Sequence, residues 1–209
     1  MNDSVRILFI GDSITEEGRF NDPEGIGFGY VRLIRDYLIT EYPDKTIEVF
    51  NRGVGGNRIP DLERRWKEDV LRLNPDYVSV SIGINDVWRQ IDQPDLEQVY
   101  PETFREIYSR LIEQTKRHTK AELILMEPSV HQEDLSSEGN RRLKPYVQIV
   151  RDLAGCYGTL LVPIHERFAG FLSKTRRHRL TTDGVHMTSL GDMLIAKTWL
   201  EAFLQKVRL

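Results

Sequence analysis

Four short stretches of this 209-residue chain carry side chains of the types that acyl transfer requires. Gly11-Asp12-Ser13-Ile14-Thr15 follows an apolar run, which places a serine hydroxyl in the first turn after a strand. Such a serine can be a nucleophile or simply a helix cap. The stretch has neither the Gly-x-Ser-x-Gly elbow nor the lysine of a phosphate loop. Asn51-Arg52-Gly53-Val54-Gly55-Gly56-Asn57-Arg58 holds three glycines in four positions. These permit positive φ and close approach of the backbone to a ligand, or they make only a flexible turn. In Gly83-Ile84-Asn85-Asp86-Val87-Trp88-Arg89, the asparagine can offer amide hydrogens to a developing negative charge or close an Asx turn. Asp183-Gly184-Val185-His186 sets a carboxylate three residues before an imidazole. The Asp can fix the imidazole tautomer and stabilise its protonated form, or the two can be an incidental pair in a surface turn. Each stretch has a plain structural reading. Together they supply a nucleophile, a base with its orienter, and oxyanion donors.

These residues need a scaffold that brings distant stretches together. Runs 5–10, 46–51, 76–82, 121–127 and 159–164 read as five strands, most of them rich in Val, Ile and Leu and ending near Gly, Asn or Pro. Helical patterns lie between and after them at 27–42, 59–73, 101–119, 141–156 and 188–207. In 101–119, Phe104, Ile107, Tyr108, Leu111 and Ile112 form one apolar stripe. Pro60 and Pro101 fall in first turns, where a missing N–H costs little. This alternation predicts an α/β protein with a central five-stranded parallel sheet between two helical layers, three-layer α/β/α and flavodoxin-like, as a single domain over 1–209. Sites in such sheets form at the carboxyl ends of the strands, where the strand order reverses. Four strand ends carry the polar and glycine residues above.

Composition removes other classes. The chain is 40% hydrophobic and 29% charged, which excludes disorder and fibrous architectures. No apolar run exceeds four residues, against the roughly 20 that a spanning helix needs. The N-terminal stretch is too short and too acidic at its flank for a secretory signal, so a cytoplasmic location and no membrane partner are expected. Twenty-nine basic and 32 acidic residues leave a net charge of −3, which gives no general attraction to nucleic acid. The single cysteine, Cys156, can form no internal disulfide and reads as buried filler on a helix. His118, His131 and His165 lack metal-ligand spacing, so neither a metal nor an organic cofactor is expected.

The four stretches, in order, resemble the blocks of the SGNH, or GDSL-type, hydrolases. The resemblance spans nearly the whole chain. It implies Ser13 as nucleophile, His186 as base, Asp183 as its orienter, and an oxyanion hole from the Ser13 and Gly56 N–H groups with the Asn85 side chain. Gly56 is selected over Gly53 and Gly55 because it lies five residues after Asn51, which is the spacing of the family. The string Gly83 to Gln90 is similar to a bacterial subgroup that includes intracellular acetylxylan esterases. The resemblance thus implies a serine esterase that removes acetyl groups from sugars or xylo-oligosaccharides through an acyl-enzyme. The alternatives are a short-chain carboxylesterase, lysophospholipase or thioesterase on the same machinery, or a non-catalytic flavodoxin-like binding module. Two positions depart from the pattern: Met187 stands where many members have Pro, and Thr182 where some of the subgroup have Trp.

Trp88 and Asp12 are the remaining candidate substrate contacts. Trp88 reads equally as an apolar wall or sugar-stacking platform beside the acyl pocket and as a core residue under a loop. Arg89 is expected to pair with an acid, and Glu127 to be a solvated carboxylate at the rim. Lys174, Arg176, Arg177, His178 and Arg179 can form a solvated basic loop, attract an acidic substrate or join subunits of a homo-oligomer.

Overall fold

The computed structural model describes residues 4–207. Five strands, β1 (Ser4–Gly11), β2 (Thr46–Gly53), β3 (Tyr77–Ser81), β4 (Glu122–Met126) and β5 (Leu160–Val162), form one all-parallel sheet in the order β2-β1-β3-β4-β5. Strand β1 lies between β2 and β3 and is covered on both faces. This explains why Ile7 to Ile10 run as consecutive apolar residues without alternation, all of them buried. Strand β5 stops early because Pro163 follows it and has no N–H for a ladder.

Eight α-helices cover the sheet among the described residues: α1 (Ser13–Glu16), α2 (Tyr30–Glu41), α3 (Ile59–Trp66), α4 (Ile84–Asp92), α5 (Pro101–His118), α6 (Glu138–Tyr157), α7 (Ile164–Lys174) and α8 (Ser189–Lys206). Helices α2, α7 and α8 pack together in one layer, and α3 to α6 in the other. The fold is therefore the expected three-layer α/β/α arrangement. The expected helix over 59–73 is α3 followed by a π turn at Lys67–Leu71. Periodicity along the chain does not reveal α1, α4 and α7. The first two are short and start inside the glycine and asparagine motifs, while α7 begins directly after the proline that ends β5. Indole N–H groups tie helix to helix and helix to sheet: Trp66 of α3 donates to Thr115 Oγ1 of α5, and Trp199 of α8 to Ser79 Oγ of β3, both at 3.0 Å.

The register positions the site. Gly11 pairs with Gly53 on one side and with Ser81 on the other, so three strands end at one level. Side chains are excluded at two of these places. A Cβ on Gly11 would lie 2.3 Å from the Ser81 carbonyl oxygen, and one on Gly53 would lie 2.2 Å from the Glu16 nitrogen. The short helix α1 thus sits directly on the ends of β1 and β2. Gly53→Ala should destabilise the protein by about 1–3 kcal/mol, because the clash is with backbone that has little room to move. In a thermal melt that is a fall in Tm of at least about 2 °C.

Candidate active site

The strand ends bring the four sequence blocks together. Asp12 is the N-cap of α1, its carboxylate accepting from the Ile14 N–H at 3.0 Å, and this sets Ser13 at the first helical position beside the crevice. Ser13 Oγ lies 2.9 Å from His186 Nε2, although the two residues are 173 positions apart. His186 Nδ1 lies 2.7 Å from Asp183 Oδ2. The other Asp183 oxygen accepts the N–H groups of Val185 at 2.9 Å and His186 at 2.8 Å, so the carboxylate shapes the turn that carries its own partner. Burial pushes the Asp183 carboxyl up. The hydrogen bonds from the His186 ring and from the His186 and Val185 N–H groups outweigh this and hold its pKa at about 2. Asp183 is therefore an anion at any working pH, ready to face an imidazolium.

The candidate oxyanion donors converge as well. Gly56 adopts φ +76°, a conformation that favours glycine, at the tip of a turn closed by the Asn57 N–H donating to the Val54 carbonyl at 3.2 Å. Asn85 lies in the first turn of α4, is buried, and donates one amide hydrogen to the Asn57 carbonyl at 3.1 Å. That bond holds the Asn85 amide beside Gly56 and leaves its second hydrogen available. Among the described residues, the Ser13 and Gly56 N–H groups have no acceptor. A Cβ on Gly55 would stand 3.9 Å from the Ser13 Cβ, which places the glycine turn next to the hydroxyl.

Several supporting residues are not visible in the sequence. The Arg65 guanidinium donates to the carbonyls of Gly11 and Arg52, to Asn57 Oδ1 and to Asp69, joining the ends of β1 and β2 to the glycine turn. The Asn51 amide donates to the carbonyls of Thr15 and Ile26 and accepts from the Gly53 N–H. Spacing alone gives Asn51 no role of its own. Its signal is a polar side chain at the end of a buried strand, where an unpartnered amide would be costly.

Other expectations need correction. Asp12 is 1% exposed and serves as a helix cap, not as a surface for substrate; burial pushes its pKa up to about 7. Glu127 is not at a solvated rim but buried, paired with Arg151 Nε at 2.5 Å and accepting from the Glu166 N–H. Cys156 is exposed, so it fills no core. The basic residues at 174–179 are solvent-exposed.

Trp88 is half-buried and meets two imidazoles edge to face, with ring centroids 6.0 Å from His186 and 6.0 Å from His131. Arg89 lies over the indole, 5.1 Å from its centroid, and pairs with Asp92 as expected of it. His131 is buried and both its ring nitrogens lack a partner among the described residues. Burial pushes its pKa down, which favours the neutral ring behind the indole. Thr182, at the departing position, is exposed and donates its N–H to the His186 carbonyl at 2.8 Å.

With the geometry in place, comparison with known proteins is decisive. A family model described as the GDSL-like lipase/acylhydrolase family matches residues 9–194. The chain belongs to that family. It is 36% identical over 203 residues to an acetylxylan esterase of Geobacillus stearothermophilus, covering 93% of this chain and 92% of that protein. A crystal structure of an acetylxylan esterase from the same organism superposes with a TM-score of 0.86 at 34% identity, over 97% of this chain and 96% of the other. An alpha/beta hydrolase from the metagenome of Lake Arreo, Spain, gives 0.88 at 33% identity, over 95% and 94% of the two chains. The chain is accordingly a carboxylic ester hydrolase.

Three buried carboxylates, Asp12, Asp86 and Asp192, are each pushed by burial to a pKa of about 7. An unfolded aspartate titrates near 3.9, so between about pH 4 and pH 7 the folded state retains protons that the unfolded chain has released. The contribution of these three groups to stability therefore falls as pH rises through this window and levels off above it. Asp86 accepts from the Ile59 N–H through Oδ1, while its Oδ2 has no partner among the described residues. Asp86→Asn keeps the acceptor and removes the ionisation. The Tm of the variant, measured against that of the parent, should become more favourable by several degrees between pH 5 and pH 8.

Proposed function

We propose that the protein is a serine esterase that removes acetyl groups from acetylated sugars, with xylo-oligosaccharides as the favoured class. The observation that carries the chemistry is the continuous line from Ser13 Oγ through the His186 ring to Asp183, at 2.9 and 2.7 Å. Ser13 Oγ attacks the ester carbonyl carbon as its proton passes to His186 Nε2, and Asp183 stabilises the imidazolium. The oxyanion is received by the Ser13 and Gly56 N–H groups and the free Asn85 amide hydrogen. The bond to the alkoxy oxygen then breaks and His186 returns the proton to the leaving alcohol. Water, deprotonated by the same nitrogen, attacks the acyl-enzyme and releases acetate and Ser13.

Similarity to the acetylxylan esterase of Geobacillus stearothermophilus supports the acetylated-sugar class. Trp88 supports the acetyl preference, because its ring stands against the catalytic imidazole and limits the space for an acyl chain. In a cytoplasmic setting the substrate is an oligosaccharide small enough to be imported.

Ser13→Ala and His186→Ala should each reduce kcat by at least about 10³-fold with the fold retained, and the double variant should be little worse than either single one. Near-parental hydrolysis by Ser13→Ala would remove the mechanism. A series of aryl esters should peak at acetate and fall steeply by octanoate, since added methylenes meet a wall instead of gaining the usual ~0.8 kcal/mol each. Trp88→Ala should flatten this profile while leaving the enzyme active. Acetate release from acetylated xylo-oligosaccharides tests the alcohol directly. A parental enzyme that prefers octanoyl esters or lysophospholipids would overturn the sugar assignment and leave the serine-esterase one intact.

A further inference from the structure

The turn carrying Asp183 and His186 lies between α7 and α8 and is not part of the sheet that anchors Ser13. Its only ladder among the described residues is an isolated antiparallel bridge between Thr181 and Met187, which brackets the two residues. Something must fix this turn against β1, because a displacement of about 1 Å at a catalytic group can cost about 10²-fold in rate.

The segment after β4 supplies the tether. Gln132, in the left-handed region at φ +70°, donates its N–H to the Gly184 carbonyl at the tip of the turn, at 2.7 Å. Glu133 then reaches the base of the turn. Its Oε1 alone accepts three hydrogen bonds: from the Leu180 N–H at 2.7 Å, the Thr181 N–H at 2.8 Å and the Thr181 hydroxyl at 3.0 Å. A carboxylate accepting bonds from otherwise unsatisfied donors makes stronger ones than a neutral acceptor does. All three donors belong to the first limb of the bridge.

We propose that Glu133 is a positioning residue for catalysis, holding the Asp183–His186 turn so that His186 Nε2 stays within hydrogen-bond reach of Ser13. This rests on the reading of His186 as general base. Glu133 bonds to the base of the turn, and among the described residues it makes no hydrogen bond to Ser13 or His186. Its effect should therefore appear in kcat, with KM for a small ester nearly unchanged.

The experiment is steady-state hydrolysis of p-nitrophenyl acetate, which carries no sugar and so is independent of the alcohol assignment. Glu133→Ala should lower kcat by at least about tenfold with KM within about twofold. Glu133→Gln retains an amide oxygen as acceptor and should recover to within about threefold of the parent. In a His186→Ala background, Glu133→Ala should change the residual rate by less than about twofold, since the base it positions is gone. The proposal is overturned by a Glu133→Ala kcat within about twofold of the parent, by Glu133→Gln being as impaired as Glu133→Ala, or by the loss persisting in full without His186. If Glu133→Ala does not fold, Thr181→Val decides: removing the hydroxyl donor should lower kcat about two- to fivefold without loss of Tm, and an unchanged kcat overturns the proposal. Near-parental activity of His186→Ala itself would overturn the catalytic reading instead.

Discussion

The contact between the first helix and the ends of the two neighbouring strands sets the geometry from which the rest of the site follows. With no side chain at Gly53, the backbone of α1 sits where a Cβ would otherwise be, and with none at Gly11 the Ser81 carbonyl and the Thr15 side chain do. The pairing of Gly11 with both Gly53 and Ser81 then brings three strand ends to one height. From that level, Ser13 rises on α1, the glycine turn on the continuation of β2, and Asn85 on the first turn of α4. This is the crevice that a reversal of strand order opens beside β1, made narrow by two glycines.

Such compactness has an electrostatic cost. Asp12 and Asp86 are both buried, and Asp192 is nearly so; all three are pushed towards neutral pH because water is excluded around them. Each nevertheless holds part of the backbone in place. Asp12 caps α1, Asp86 accepts from the start of α3, and Asp192 accepts from the Tyr30 N–H. Asp183 has the opposite environment. It is exposed and surrounded by donors, and it keeps its charge at any pH the enzyme would work in. The buried capping carboxylates are thus drawn towards neutrality, while the one against the imidazole ring stays ionised.

The C-terminal turn is built on a different principle. It is held by Thr182 donating to the His186 carbonyl and, from outside, by Gln132 and Glu133 of the segment after β4. The same segment contributes His131, whose buried ring backs Trp88, while Trp88 in turn borders His186. One loop thus holds the turn that carries His186 and packs behind the Trp88 ring that borders it.

The sheet and its direction are legible in the residues themselves, and so are the four blocks that carry the candidate catalytic groups. Consecutive apolar runs mark doubly covered parallel strands, and the four polar blocks fall at their carboxyl ends because that is where a parallel sheet opens. Residue chemistry marks the four blocks as candidates, and the resemblance to the SGNH hydrolases, position by position, singles out Ser13, Asp183, His186, Gly56 and Asn85 within them. What only the tertiary structure decided is which polar groups became buried and what they bind. Asp12 turned inward as a cap, Glu127 found Arg151, and Arg65, Asn51 and Glu133 became ties between segments 13 to 54 residues apart or between one loop and the next. For Trp88, residue type fits a pocket wall and a core position equally well, and the tertiary structure sets it half-buried against the core with one edge towards the His186 and His131 rings. The physical reason is that hydrogen bonds and burial depend on where distant backbone carbonyls and amides arrive in space, and no periodicity or spacing along the chain encodes that arrival locally.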